Sequence, residues 1–165
     1  MNGKWKMIDF NADIVSYKSL GNIELERHID FYLDEIYKNF TVEVKEYMTP
    51  YPFNEKMYAY FLEAGTIIIS TNSEGGIIAV GCNEHYQGKY KKKLYAGITM
   101  KELILLTKSQ RILNGTLIVD EDYGMSFTLP SPYDEMADYI ESIPLDLKLN
   151  EIFVSDDSFW EPKEK

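Results

Sequence analysis

A chain of 165 residues, 45% hydrophobic and 14% aromatic, has the material for one folded domain; a disordered chain or a disulfide-dependent miniprotein does not fit it. A net charge of −10 argues against DNA, RNA or anionic lipid as partners. No apolar run approaches the ~18 residues of a membrane span, residues 1–6 lead into a polar segment rather than a signal-peptide core, and the single cysteine, Cys82, cannot close an internal disulfide, so the expected compartment is a reducing cytoplasm.

In chain order, residues 4–10 read as a short strand. Residues 24–40 read as a helix whose buried stripe is Ile29, Tyr32, Leu33, Ile36, Tyr37 and Phe40, at the spacing of one helical face. Residues 41–48 alternate, with Val42, Val44, Glu46 and Met48 on one face, which predicts a strand. Pro50 and Pro52 break that pattern, and 55–64 is expected to be a short helix. Two similar segments follow, 64–80 and 114–129. Each has Gly-Thr, an aliphatic strand, a polar or acidic turn and a second apolar strand, which is a hairpin signal given twice.

Between the hairpins, Lys89-Tyr90-Lys91-Lys92-Lys93-Leu94-Tyr95 is expected to be an edge strand whose lysines discourage strand addition. A second, short helix starts near Thr99, where Thr99 and Glu102 have capping-box spacing. A last helix is expected over 131–143, capped by Ser131, opened by Pro132 and ended by Pro144, with Met136, Ala137, Ile140 and Ile143 buried and Asp134, Asp138 and Glu141 outward. A final strand occupies 150–155, and 161–165 is expected to fray. The whole predicts a single α+β domain over 1–165. Its sheet is mainly antiparallel with helices packed on it, built as two degenerate helix-hairpin units.

The charge is unevenly placed. Residues 1–116 hold 14 Lys/Arg and 14 Asp/Glu, whereas 117–165 hold three lysines and 13 acids, so the entire −10 belongs to the last 49 residues. An acidic surface can simply keep a protein soluble, but crowding like charges costs stability, so the segment is also a candidate receiver of a cationic partner.

Other motifs carry less. Cys82-Asn83-Glu84-His85 has the spacing of a zinc half-site or a thiol–imidazole pair, but His28 is the only other histidine, and four ligands cannot be assembled. The plainer reading is a buried thiol ending a hairpin strand and a surface imidazole. Asp120-Glu121-Asp122 lacks the alternation and downstream Glu of a calcium loop and reads as a charged turn. The glycines match no phosphate-binding or nucleophile-elbow pattern. No metal and no cofactor is expected.

Ser19-Leu20-Gly21-Asn22-Ile23, Gly97-Ile98-Thr99-Met100, the stretch 115–129 and Asp156-Asp157-Ser158-Phe159-Trp160 together resemble small bacterial immunity proteins, the antidotes of contact-dependent inhibition and polymorphic toxin systems. Such families share no binding-site motif, so no residue role is transferred by position. The resemblance implies a non-enzymatic protein that binds and blocks a toxin's catalytic domain, and the charge points to a basic toxin, a nuclease above all. The expected docking residues are Asp120, Glu121, Asp122, Asp134, Asp138, Glu141, Asp156, Asp157 and Trp160, on a monomer or weak homodimer. Two other classes stay open: a small hydrolase using Cys82 and His85 or a carboxylate pair, and an adaptor that self-associates through its hairpins.

Overall fold

The computed structural model describes residues 7–49, 52 and 54–156. A two-stranded ribbon comes first, β1 (Ser19–Leu20) and β2 (Ile23–Glu24), then helix α1 (Asp30–Asn39). Four strands follow in a meander: β3 (Val42–Met48), β4 (Lys56–Leu62), β5 (Ile67–Thr71) and β6 (Ile77–Cys82). Next come β7 (Ile98–Thr99), helix α2 (Met100–Leu106), and a three-strand meander of β8 (Gln110–Leu113), β9 (Thr116–Val119) and β10 (Met125–Thr128). The chain ends with helix α3 (Tyr133–Met136), a 3-10 turn at Ile140–Ser142, β11 (Lys148–Leu149) and β12 (Glu151–Ser155).

The principal sheet has eight strands in the order β3-β4-β5-β6-β12-β10-β9-β8, and every neighbouring pair is antiparallel. The protein is therefore α+β with the sheet dominant. β12 is inserted between the two meanders, pairing Ile152 with Cys82 and Val154 with Val80 on one side, Phe127 and Met125 on the other.

The two faces of this sheet differ. Leu62, Ile67, Ile69, Ile77, Val80, Cys82, Leu117, Val119, Met125, Phe127, Ile152 and Val154 share one face by register and are essentially inaccessible. They join Tyr32 and Ile36 of α1 and Met100 and Leu103 of α2 in one apolar cluster. Burying each large side chain there is worth about 1.5–3 kcal/mol, so this face carries most of the drive to fold. Thr71 shares that face, and its buried hydroxyl has no hydrogen-bond partner.

Both hairpins form as expected, as does the final strand. Thr99 accepts from the Glu102 amide at 3.2 Å at the start of α2, while the Glu102 carboxylate takes the Tyr95 hydroxyl at 2.9 Å. Elsewhere the structure corrects the sequence reading. Residues 7–10, the described part of the expected first strand, form no strand. The first helix starts only at Asp30, because 25–29 turns through a left-handed Glu26 (φ 74°) and bonds the β5–β6 turn instead: Glu26 N bonds Ile77 O at 2.9 Å, Ile77 N bonds Arg27 O at 2.9 Å, and Ile29 N bonds Gly75 O at 2.8 Å. The expected helix at 55–64 is strand β4. Tyr58, Tyr60 and Leu62 go to one face and Met57, Ala59 and Phe61 to the other, so a strand paired on both sides and apolar on both faces hides its period of two. β3 exists, but as the sheet edge it leaves Val44 and Met48 exposed.

The lysine-rich segment is a tight turn, not an edge strand. Tyr90 and Leu94 are buried and bond each other's backbone, at 2.8 and 3.1 Å, while Lys91 and Lys92 take left-handed φ of 50° and 63° between them. The expected helix over 131–143 is reduced to a single turn, α3, followed by extended chain and the 3-10 turn. Ser131 makes no cap there, and Pro132 occupies the cap position itself. Ala137 and Ile143 are buried as expected, but Met136 is 68% exposed.

Candidate functional site

The acidic residues divide into two groups on either side of the β8–β9–β10 meander. Asp120, Glu121 and Asp122 form the β9–β10 turn, and Ser155 N bonds Gly124 O at 3.1 Å, which places Asp156 at the same end. Asp134 lies at the opposite end. Its carbonyl backs onto Gly115 in the β8–β9 turn, so closely that a Cβ on Gly115 would meet it at 2.7 Å. The four residues of β9 separate Gly115 from Asp120, five rises of about 3.3 Å and so a span of about 16 Å. Asp138 and Glu141 follow Asp134 past the edge strand β8, against which the 3-10 turn Ile140–Ser142 rests. Asp157 and Trp160 lie outside the described residues, as does Phe159.

At the first group, much of the carboxylate is already committed. Asp120 Oδ1 accepts the amides of Lys108 (2.6 Å) and Ser109 (3.0 Å). Asp122 accepts from the Ser16 hydroxyl, from the Tyr90 hydroxyl at 2.5 Å and from Gly124 N at 3.1 Å. Burial first, then the Asp122 carboxylate, push the Tyr90 phenol well above its ordinary value. Tyr90 also carries Lys91 over its ring, 5.4 Å from the centroid, so folding brings the basic turn to this acidic turn. The charge separation seen along the chain is partly cancelled here.

The second group is not compensated in this way. Residues 133–147 contain Asp134, Glu135, Asp138, Glu141 and Asp146 and no Lys or Arg. Because the helix is broken, Met136 and Tyr139 point outward among these acids, at 68% and 69% exposure. Leu145 is exposed too, and its carbonyl accepts Lys101 N at 2.8 Å in the first turn of α2, which also exposes Leu105. Aromatic and methionine side chains ringed by charge are the composition of a protein-binding surface. Sequence reading had found the acids of this surface but missed Met136 and Tyr139. Helical spacing gave no signal of it, since Tyr139 stands three residues after Met136 and four before Ile143, beside the stripe of the expected helix.

Cys82 and His85 do not form a site. Cys82 is buried between Ile67 and Ile152, and burial pushes its thiol up to about 12, so it supplies no thiolate near neutrality. His85 is exposed and lines an open depression of about 430 Å³ with Glu84, Lys89 and Tyr95. Among the described residues no group of His, Cys, Asp and Glu is arranged to hold a metal ion. No described helix is long and apolar enough to cross a membrane.

The second face of the sheet holds a cavity of about 380 Å³, which no sequence feature announced. Tyr47 of β3, Met57 of β4, Ser70 of β5, Ala79 of β6, Phe153 and Ser155 of β12, Ser126 of β10 and Thr116 of β9 all line it. Six strand spacings separate β3 from β9, about 29 Å along a flat sheet. One cavity of this size touched by both means that the sheet curls, with this face inward. Gly81 makes room for one wall: the Phe153 ring lies over it, 2.4 Å from where a Cβ would be. Compared with protein-family models, curated proteins and solved structures, the chain matches none.

Proposed function

We propose that this chain is a cytoplasmic, non-enzymatic inhibitor of the immunity type, which docks a basic partner, a toxin's nuclease domain, through the surface formed by residues 133–147. The observation that carries the reading is the exposure of Met136 and Tyr139 among Asp134, Asp138 and Glu141, with no cation in the segment. A nuclease is basic where it holds phosphates, so an inhibitor covering that surface gains from complementary charge. The acids speed encounter, to ~10⁸–10⁹ M⁻¹s⁻¹ at low salt, and the apolar side chains supply the desolvated anchors. Asp120, Glu121, Asp122 and Asp156 act at the margin in this reading, since two of them are spent on the fold. The two helix-hairpin units, with helices laid on the sheet, are the scaffold we infer for this surface.

The test is association with the catalytic domain of the toxin encoded beside this chain's gene, measured by stopped flow at low and high salt. The triple variant D134N/D138N/E141Q is expected to associate at least tenfold more slowly at low salt and to lose most of the salt dependence. The double variant M136S/Y139S is expected to dissociate faster with the association rate kept. A neighbouring gene that encodes no toxin, or a triple variant that associates like the parent, overturns the proposal.

A further inference from the structure

We infer that the cavity inside the curled sheet is a binding site for an uncharged small molecule with an aromatic or aliphatic body and a hydroxyl or carbonyl group. The first support is geometric. At about 380 Å³ the cavity sits at the lower end of the range of small-molecule sites, roughly 300–1,000 Å³, which suits a ligand of one or two rings. Met57, Ile78 and Phe153 give it apolar walls, and among the described residues no charged side chain lines it. A charged ligand would lose its hydration without gaining a counter-ion.

The second support is independent of size. Ser70, Ser126 and Ser155 line the cavity, each at least nine-tenths buried, at 9%, 4% and 3% exposure. Their hydroxyls have no hydrogen-bond partner among the described residues, although Thr116 and Thr128 on the same wall are satisfied, by Leu113 O at 2.7 Å and Glu151 Oε1 at 3.2 Å. Three serines from β5, β10 and β12 line one cavity, and their hydroxyls are open to whatever fills it, water in the empty protein and a hydroxyl or carbonyl group of a ligand in its place. The register sets them on one face: Ser70 and Ser155 flank Ala79, and Ser126 sits opposite Phe153.

The experiment uses the full chain and the neutral fluorophore N-phenyl-1-naphthylamine, displaced in turn by 2-naphthol, naphthalene and 2-naphthoate. Saturable one-to-one binding is expected, with 2-naphthol displacing the probe about fivefold better than naphthalene, the gain of one hydrogen bond, and 2-naphthoate the weakest. In S126A/S155A the preference for 2-naphthol over naphthalene is expected to vanish while the probe still binds. A79L, which fills the cavity, is expected to lose the probe. Amide shifts induced by 2-naphthol in the unaltered protein need no variant, and should centre on Ser70, Ser126, Phe153 and Ser155. No saturable binding, 2-naphthoate displacing as well as 2-naphthol, a preference unchanged in S126A/S155A, or shifts centred elsewhere each overturn the inference.

Discussion

Replacing Asp122 by alanine separates an acid that builds the fold from one that greets a partner. Asp122 is half-buried and accepts three hydrogen bonds, from Ser16, Tyr90 and Gly124 N, which tie the loop before β1 and the 89–94 turn to the β9–β10 turn. A bond to a charged group contributes about 1.5–3 kcal/mol, and bonds sharing one carboxylate do not add fully. The alanine variant also leaves the hydroxyl of Tyr90, a residue only 3% exposed, without its acceptor. The expected loss is about 3 kcal/mol, which for a chain this size lowers Tm by about 6–12 °C. Glu121, exposed in the same turn, is the control, and Glu121→Ala is expected to stay within about 0.5 kcal/mol of the parent. Urea denaturation followed by far-UV dichroism measures both. A cost below 1 kcal/mol for Asp122→Ala, or equal costs for the two variants, would refute the reasoning.

Thr71→Val removes a buried hydroxyl that has no partner and keeps the shape of the side chain, so the urea midpoint should rise, by about 1 kcal/mol of stability. The Cys82 thiol should ignore a thiol-reactive chromogenic reagent at pH 8 in the native protein and react at once in 6 M guanidinium. The same burial predicts a pH effect. In the unfolded chain the thiol ionises near 8.5–9 and in the fold only at about 12. Stability from this group is therefore complete below pH 9 and is lost progressively as the pH rises towards 12, with buried Tyr86 and Tyr90, also pushed up, steepening the fall above pH 10. The urea midpoint measured from pH 7 to 11 should be flat and then decline, and Cys82→Ala should decline less between pH 9 and 10. Finally, Met136→Ser and Tyr139→Ser should leave the melting temperature within about 2 °C, since neither side chain is buried; a larger drop would place them in the core after all.

How much of this fold could be read from the chain depended on whether an element announces itself locally. The two hairpins did, because β-branched runs such as Ile67-Ile68-Ile69 meet turn residues that tolerate left-handed backbone, at Gly75 and at Asp120 and Glu121. The Thr99 cap did too. β4 did not: flanked on both sides in the sheet, it is apolar on both faces, and Met57-Tyr58-Ala59-Tyr60-Phe61-Leu62 then has no period to detect. The cavity left no trace either, because its walls are single alternate residues drawn from seven strands that only the curl of the sheet brings together.

The segment 131–143, part of the surface we propose for docking, shows the same competition from the other side. Its spacing of Met136, Ala137, Ile140 and Ile143 is helical, and a helix would have buried Met136. But β8 is the last strand of the sheet, and its free edge is a hazard unless something crosses it. The chain leaves the helix after Met136 and rests its 3-10 turn, Ile140–Ser142, on that edge, so only one helical turn survives, held at the β8–β9 turn where Asp134 meets Gly115. The side chains that lose their place in the stripe are turned to solvent among five uncompensated acids. Restoring the helix would therefore withdraw Met136 from the surface, and a variant that strengthens helix over 133–143 without touching Met136 or Tyr139, such as Ser142→Ala, should weaken partner binding even though it adds no charge and removes none.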